Sequence, residues 1–111
     1  MDLRDLFKNV EIGSNVTVEG WIKNHRKQKE FGFIDFSDGT DFRHLQIVYD
    51  KDNENFEEIQ KLLVGCAIRV NGTIVESQGN QDFELKADTV EVLGVVQQTI
   101  LFNLKDIREN S

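Results

Sequence analysis

Phenylalanines at 31, 33 and 36 fall within six residues, Gln46 follows, and the basic run KNHRKQK occupies residues 23–29. Each of these groups suits a particular contact. An exposed ring offers a flat π surface for stacking. A carboxamide holds an acceptor and a donor side by side, so it can match a partner edge that carries the complementary pair. Lysine and arginine neutralise anions, phosphates above all. These contacts act together only if the backbone brings the three groups to one surface.

The elements that must position them are legible as periods. MDLRDLFKN has Leu3, Leu6 and Phe7 at helical spacing after Asp2, which predicts a short capped helix. NVTVEGWIKNHR alternates, with Val16, Val18, Gly20 and Ile22 on one side and Thr17, Glu19, Trp21 and Lys23 on the other. EFGFIDF forms a second strand ended by the Asp38-Gly39 turn signal, and HLQIVYD forms a third. The period then changes. Asn53 or Asn55 caps a helix whose stripe is Phe56, Ile59, Leu62 and Leu63, closed by Gly65. CAIRVNGTIVE and FELKADTVEVLG complete the strands around the polar break SQGNQ. Three strands, a helix and two strands is the order of the OB-fold, an all-β, five-stranded Greek-key barrel with a helix between strands three and four. An SH3-like barrel does not require that helix, and a split α+β sheet remains an alternative. The expected organisation is a helical segment at 1–14, the barrel at 15–94 and a tail at 95–111 with a mixed pattern.

Alternation also decides which phenylalanine faces water. Ile34 and Phe36 share one side of the second strand, and Phe31, Phe33 and Asp35 share the other. An unpaired carboxylate inside a small barrel costs on the order of several kcal/mol, so Asp35 points outward and carries Phe33 with it. On the third strand Leu45, Ile47 and Tyr49 form the apolar side, which leaves His44, Gln46 and Val48 outward. Phe33 and Gln46 therefore meet on one wet face, and the basic run ends the first strand and begins the loop bordering that face. Trp21 is expected to pack against the terminal helix.

Composition excludes several classes. The 111 residues are 39% hydrophobic and 30% charged, the balance of a globular domain. The single cysteine, Cys66, cannot form an internal disulfide and is expected to be a buried apolar residue. His25 and His44 are too far apart for a helical metal pair, so neither a metal nor another cofactor is expected. No signal peptide and no run near the roughly 18 apolar residues of a membrane span is visible, so a cytoplasmic domain without a membrane partner is expected. The net charge of −7 argues against a surface that attracts nucleic acid everywhere. It is polarised, however: residues 20–31 carry Lys23, Arg26, Lys27 and Lys29 against Glu30, while acids gather in DKDNENFEE.

Stacking ring, cationic rim and amide together fit single-stranded nucleic acid. A base on an aromatic ring gains about 1–3 kcal/mol whatever its identity. The amide of Gln46 complements N3–H and O4 of uracil in one orientation and cytosine in the other, so neighbours must pin it. The candidate RNA-binding residues are Phe33, Gln46, Arg26, His25, Lys23 and Lys27, and no catalytic residue is expected. A general single-stranded DNA- or RNA-binding OB protein and a protein-interaction OB domain, with Phe33 anchoring a partner or a homodimer, are the rival readings.

VTVEGWIKNHRKQKEFGFIDFSDGTDFRHLQIVYD resembles the amino-terminal anticodon-binding domain of class II aminoacyl-tRNA synthetases of the aspartate, asparagine and lysine group. DGT followed by a phenylalanine and LQIV is most similar to the asparagine enzyme, and the resemblance continues over residues 15–94. It implies that the domain binds the anticodon loop of a tRNA. Phe33 then stacks the central uracil, Gln46 reads it, Arg26 contacts the same loop, and the break at 77–82 reaches another anticodon base. The residues after Gly94 do not resemble the expected linker and are too few for a ligase domain. The expectation is a binding module, either a fragment or a free-standing relative, that is not itself an enzyme.

Overall fold

In a computed structural model, which describes residues 1–77, 79 and 82–95, the element order is α1 (Leu3–Lys8), β1 (Asn15–Lys27), β2 (Phe31–Ser37), β3 (Leu45–Asp50), α2 (Phe56–Gln60), β4 (Cys66–Glu76) and β5 (Phe83–Val95). The strands close into a barrel in the order β1-β2-β3-β5-β4, the OB-fold that the element order predicts. All pairings are antiparallel except β3 with β5, which run parallel. The tail after Val95 and half of the 77–82 break lie outside the described residues.

Inward positions fill the barrel as the alternation requires. Val18, Ile22, Ile34, Phe36, Leu45, Ile47, Ile68, Val70, Ile74 and Leu85 are buried, each aliphatic side chain contributing roughly 1.5–3 kcal/mol on leaving water. Cys66 is a free thiol in the same core, and burial pushes its pKa up. The helices sit at the two ends of β3. Asp2 caps α1 through Asp5 N at 2.9 Å, and Leu3 and Leu6 enter the core. The DGT turn holds the same helix, with Asp38 accepting from Leu3 N at 2.8 Å and Thr40 from Arg4 N at 3.1 Å. Half-buried Trp21 lies against Gly39 of that turn.

The second helix differs from its expected stripe. It has five residues, only Ile59 is fully buried, and Leu63 is 69% exposed. The chain turns towards Gly65, whose φ of 93° needs a glycine and whose N–H donates to Ile22 O at 2.8 Å. Neither asparagine caps the helix with its side chain in the ordinary way. Asn53 donates to Ala87 O and Asp88 O at 3.1 Å, and Asn55 donates to Val90 O at 2.9 Å. These amides tie the helix to β5.

Candidate nucleic-acid interface

The outward face of β1, β2, β3 and β5 is organised in rows that run across the strands. Arg26 pairs with Phe33, Phe33 with Val48, and Val48 with Lys86. The next row holds Asn24, Asp35 and Gln46. Phe33 and Asp35 are half-buried on this face while Ile34 and Phe36 are fully buried behind it. Phe31, 40% exposed, meets Phe33 edge to face, with centroids 5.4 Å apart and planes at 87°. That orientation sets the positive edge of one ring against the negative face of the other and steadies both.

Arg26 reaches this face because β1 is irregular. Register shifts between Ile22 and Asn24. Strict alternation from Ile22 would turn Arg26 inward; the bulge reverses the sides. The Arg26 guanidinium lies 5.0 Å from the Phe33 centroid, and its Nη2 donates to Gln46 Oε1 at 2.9 Å. On the other side Gln46 Nε2 donates to Glu84 Oε1 at 2.8 Å. Arginine only donates and a carboxylate only accepts, so the amide of Gln46 has one orientation. Oε1 keeps a lone pair and Nε2 keeps an N–H for a ligand. Glu84 was not among the residues expected from sequence. Its signal was its outward parity in FELKA, but only the β3–β5 pairing brings it beside Gln46.

The same bulge turns His25 away from the face. Its Nδ1 donates to Leu62 O at 2.9 Å and its Nε2 accepts from the Tyr49 hydroxyl at 2.7 Å. Gly32 makes this network fit, since a Cβ there would run into the Tyr49 hydroxyl and ring. Lys27, opposite Gly32, follows the parity of His25, and Lys23 lies in the bulge; both are exposed. Of the six expected residues, the structure joins Phe33 and Gln46 through Arg26, which contacts both. It places Lys23 and Lys27 outside that contact and His25 behind it.

Burial holds the His25 pKa below 6.5, against the raising effect of the Leu62 carbonyl and with help from nearby Lys27. A depressed imidazole pKa means that the unfolded chain takes the proton first. Stability is then unaffected at pH values well above 6.5 and falls as pH drops below it. The urea midpoint is expected to fall between pH 7 and pH 5.5, and less in His25→Gln. Equal declines in the two proteins would contradict this role. Tyr49, pushed up to about 12 by burial, adds a loss of stability above pH 10.

Among the described residues no group of three or more His, Cys, Asp and Glu could hold a metal. No described helix is long and apolar enough to cross a membrane.

A closed five-stranded barrel in the order β1-β2-β3-β5-β4 defines a class of protein, the OB-folds. Residues 16–93 match the family model described as an OB-fold nucleic acid binding domain of the tRNA anti-codon type, and the chain belongs to that family. The asparagine–tRNA ligase of Acetivibrio thermocellus is 44% identical over 96 residues, which cover 83% of this chain and 21% of that protein. The asparagine–tRNA ligase of Alkaliphilus oremlandii is 39% identical over 95 residues, covering 83% and 20%. Asparaginyl-tRNA synthetase from Pyrococcus horikoshii superimposes with a TM-score of 0.68 at 23% identity, over 78% of this chain and 20% of that one. The chain spans about a fifth of the length of the curated relatives it matches.

Proposed function

We propose that this domain binds the anticodon loop of a tRNA and reads a central uracil, serving tRNA selection of the asparagine type rather than chemistry. The observation that carries the reading is the amide of Gln46, fixed between Arg26 and Glu84 beside Phe33. A uracil stacked at Phe33 presents N3–H to the free lone pair of Oε1 and O4 to the free N–H of Nε2. Cytosine presents an acceptor at N3 and a donor at N4, the reverse pattern, which an amide locked in this orientation cannot match. Similarity to asparagine–tRNA ligases over most of the chain supports the choice of RNA.

The test is fluorescence anisotropy with two anticodon-arm hairpins that differ only in a central uracil or cytosine. The wild-type domain is expected to prefer uracil, and Gln46→Ala to lose that preference, a difference of about 1–3 kcal/mol for a bidentate pair. Equal wild-type affinity for the two hairpins would overturn the reading in favour of a general single-strand binder. Binding to neither, together with Phe33-dependent self-association, would favour a protein-interaction domain.

A further inference from the structure

We propose that Lys86 is a second phosphate-gripping cation of this face, standing opposite Arg26 at the far end of one cross-strand row. The inference rests on the RNA reading above and extends it to a residue on β5, far from the basic run. The row consists of Arg26, Phe33, Val48 and Lys86, in register on four adjacent strands. At about 4.8 Å per strand, the backbones of Arg26 and Lys86 lie roughly 14 Å apart along the sheet, with the aromatic and aliphatic floor between them.

The neighbouring rows are acidic. Asp35 and Glu84 lie on one side, and Asp50, which pairs in register with Phe31, lies on the other. Phosphates are repelled from both flanks and attracted along the row between them. A strand whose base stacks at Phe33 with its edge towards Gln46 then crosses the sheet from Arg26 to Lys86. In the free protein Lys86 Nζ lies 3.5 Å from Asp50 Oδ2, with the lysine side chain half exposed. An exposed pair of this kind holds weakly and leaves the ammonium free to exchange partners.

The test measures affinity for the uracil and cytosine hairpins across a salt series in wild type, Lys86→Gln, Lys86→Arg and Asp50→Asn, each checked for folding by thermal melting. Lys86→Gln is expected to weaken binding to both hairpins by the same factor, keep the uracil preference, and flatten the slope of log K against log salt by about 0.7, one single-strand phosphate contact. Lys86→Arg is expected to retain the slope. Asp50→Asn removes the competing carboxylate and is expected to tighten binding.

Unchanged affinity and slope in folded Lys86→Gln, with the uracil preference of the wild type present, would overturn this inference alone. It would leave Lys86 as a neutraliser of Asp50. If the wild type shows no uracil preference but Lys86→Gln still flattens the slope, the phosphate contact stands and the uracil reading falls. A loss of uracil preference in Lys86→Gln would also overturn the proposal, because the residue would then be acting on the base.

Discussion

Replacing Phe33 with alanine is expected to weaken binding of the uracil hairpin by about 1–3 kcal/mol, roughly fivefold to more than a hundredfold. The loss is the stacking surface for the base. Phe33 stands on the outward side of β2 and is only half-buried, while Ile34 and Phe36, which follow it, are fully buried on the inward side. The core is therefore untouched by this change. Phe36→Ala, by contrast, would remove a buried ring at a cost of about 3–5 kcal/mol of stability. Anisotropy gives the affinity and thermal unfolding gives the fold. A folded Phe33→Ala domain that binds the hairpin as tightly as wild type would remove stacking from the mechanism.

The second large effect is expected from Glu84→Gln, in specificity. A carboxylate can only accept from Gln46 Nε2, whereas a glutamine in its place can accept or donate. With that constraint gone, the amide of Gln46 can rotate, held only by the bond from Arg26 to its oxygen. Discrimination between uracil and cytosine is expected to fall about tenfold, within the 1–3 kcal/mol that a bidentate base contact supplies. Stacking persists, so affinity for the cytosine hairpin should rise relative to uracil. The measurement is the ratio of the two dissociation constants in wild type and variant. An unchanged ratio would mean that Gln46 is oriented by Arg26 alone.

Several parts of this site are visible in the linear chain. The division of Phe31, Phe33 and Phe36 between water and core follows from a period of two and from the cost of burying Asp35. The inward set Leu45, Ile47 and Tyr49 places Gln46 outside by the same rule. The expected stripe of α2 fails beyond Ile59, because a five-residue helix spans barely more than one period. Leu62 and Leu63 fall beyond its end, where the turn towards Gly65 sets their exposure.

His25 and Arg26 are adjacent in a basic run, and nothing in their types says which one faces the ligand. The bulge after Ile22 decides it, and the bulge is held by contacts with Ser37, Phe36 and Asp35 on another strand. Glu84 and Lys86 are 38 residues from Gln46 and Val48 in the chain, and they join the face only through the parallel β3–β5 pairing.

Local side-chain pattern thus determined the strands, their inner and outer faces and the outward direction of Phe33 and Gln46, because alternation is a property of neighbouring residues. Tertiary structure alone decided that Arg26 faces out, that His25 faces in, and that Gln46 has one orientation. Register between strands is set by the packing of residues distant in sequence, and a shift of one residue exchanges the faces.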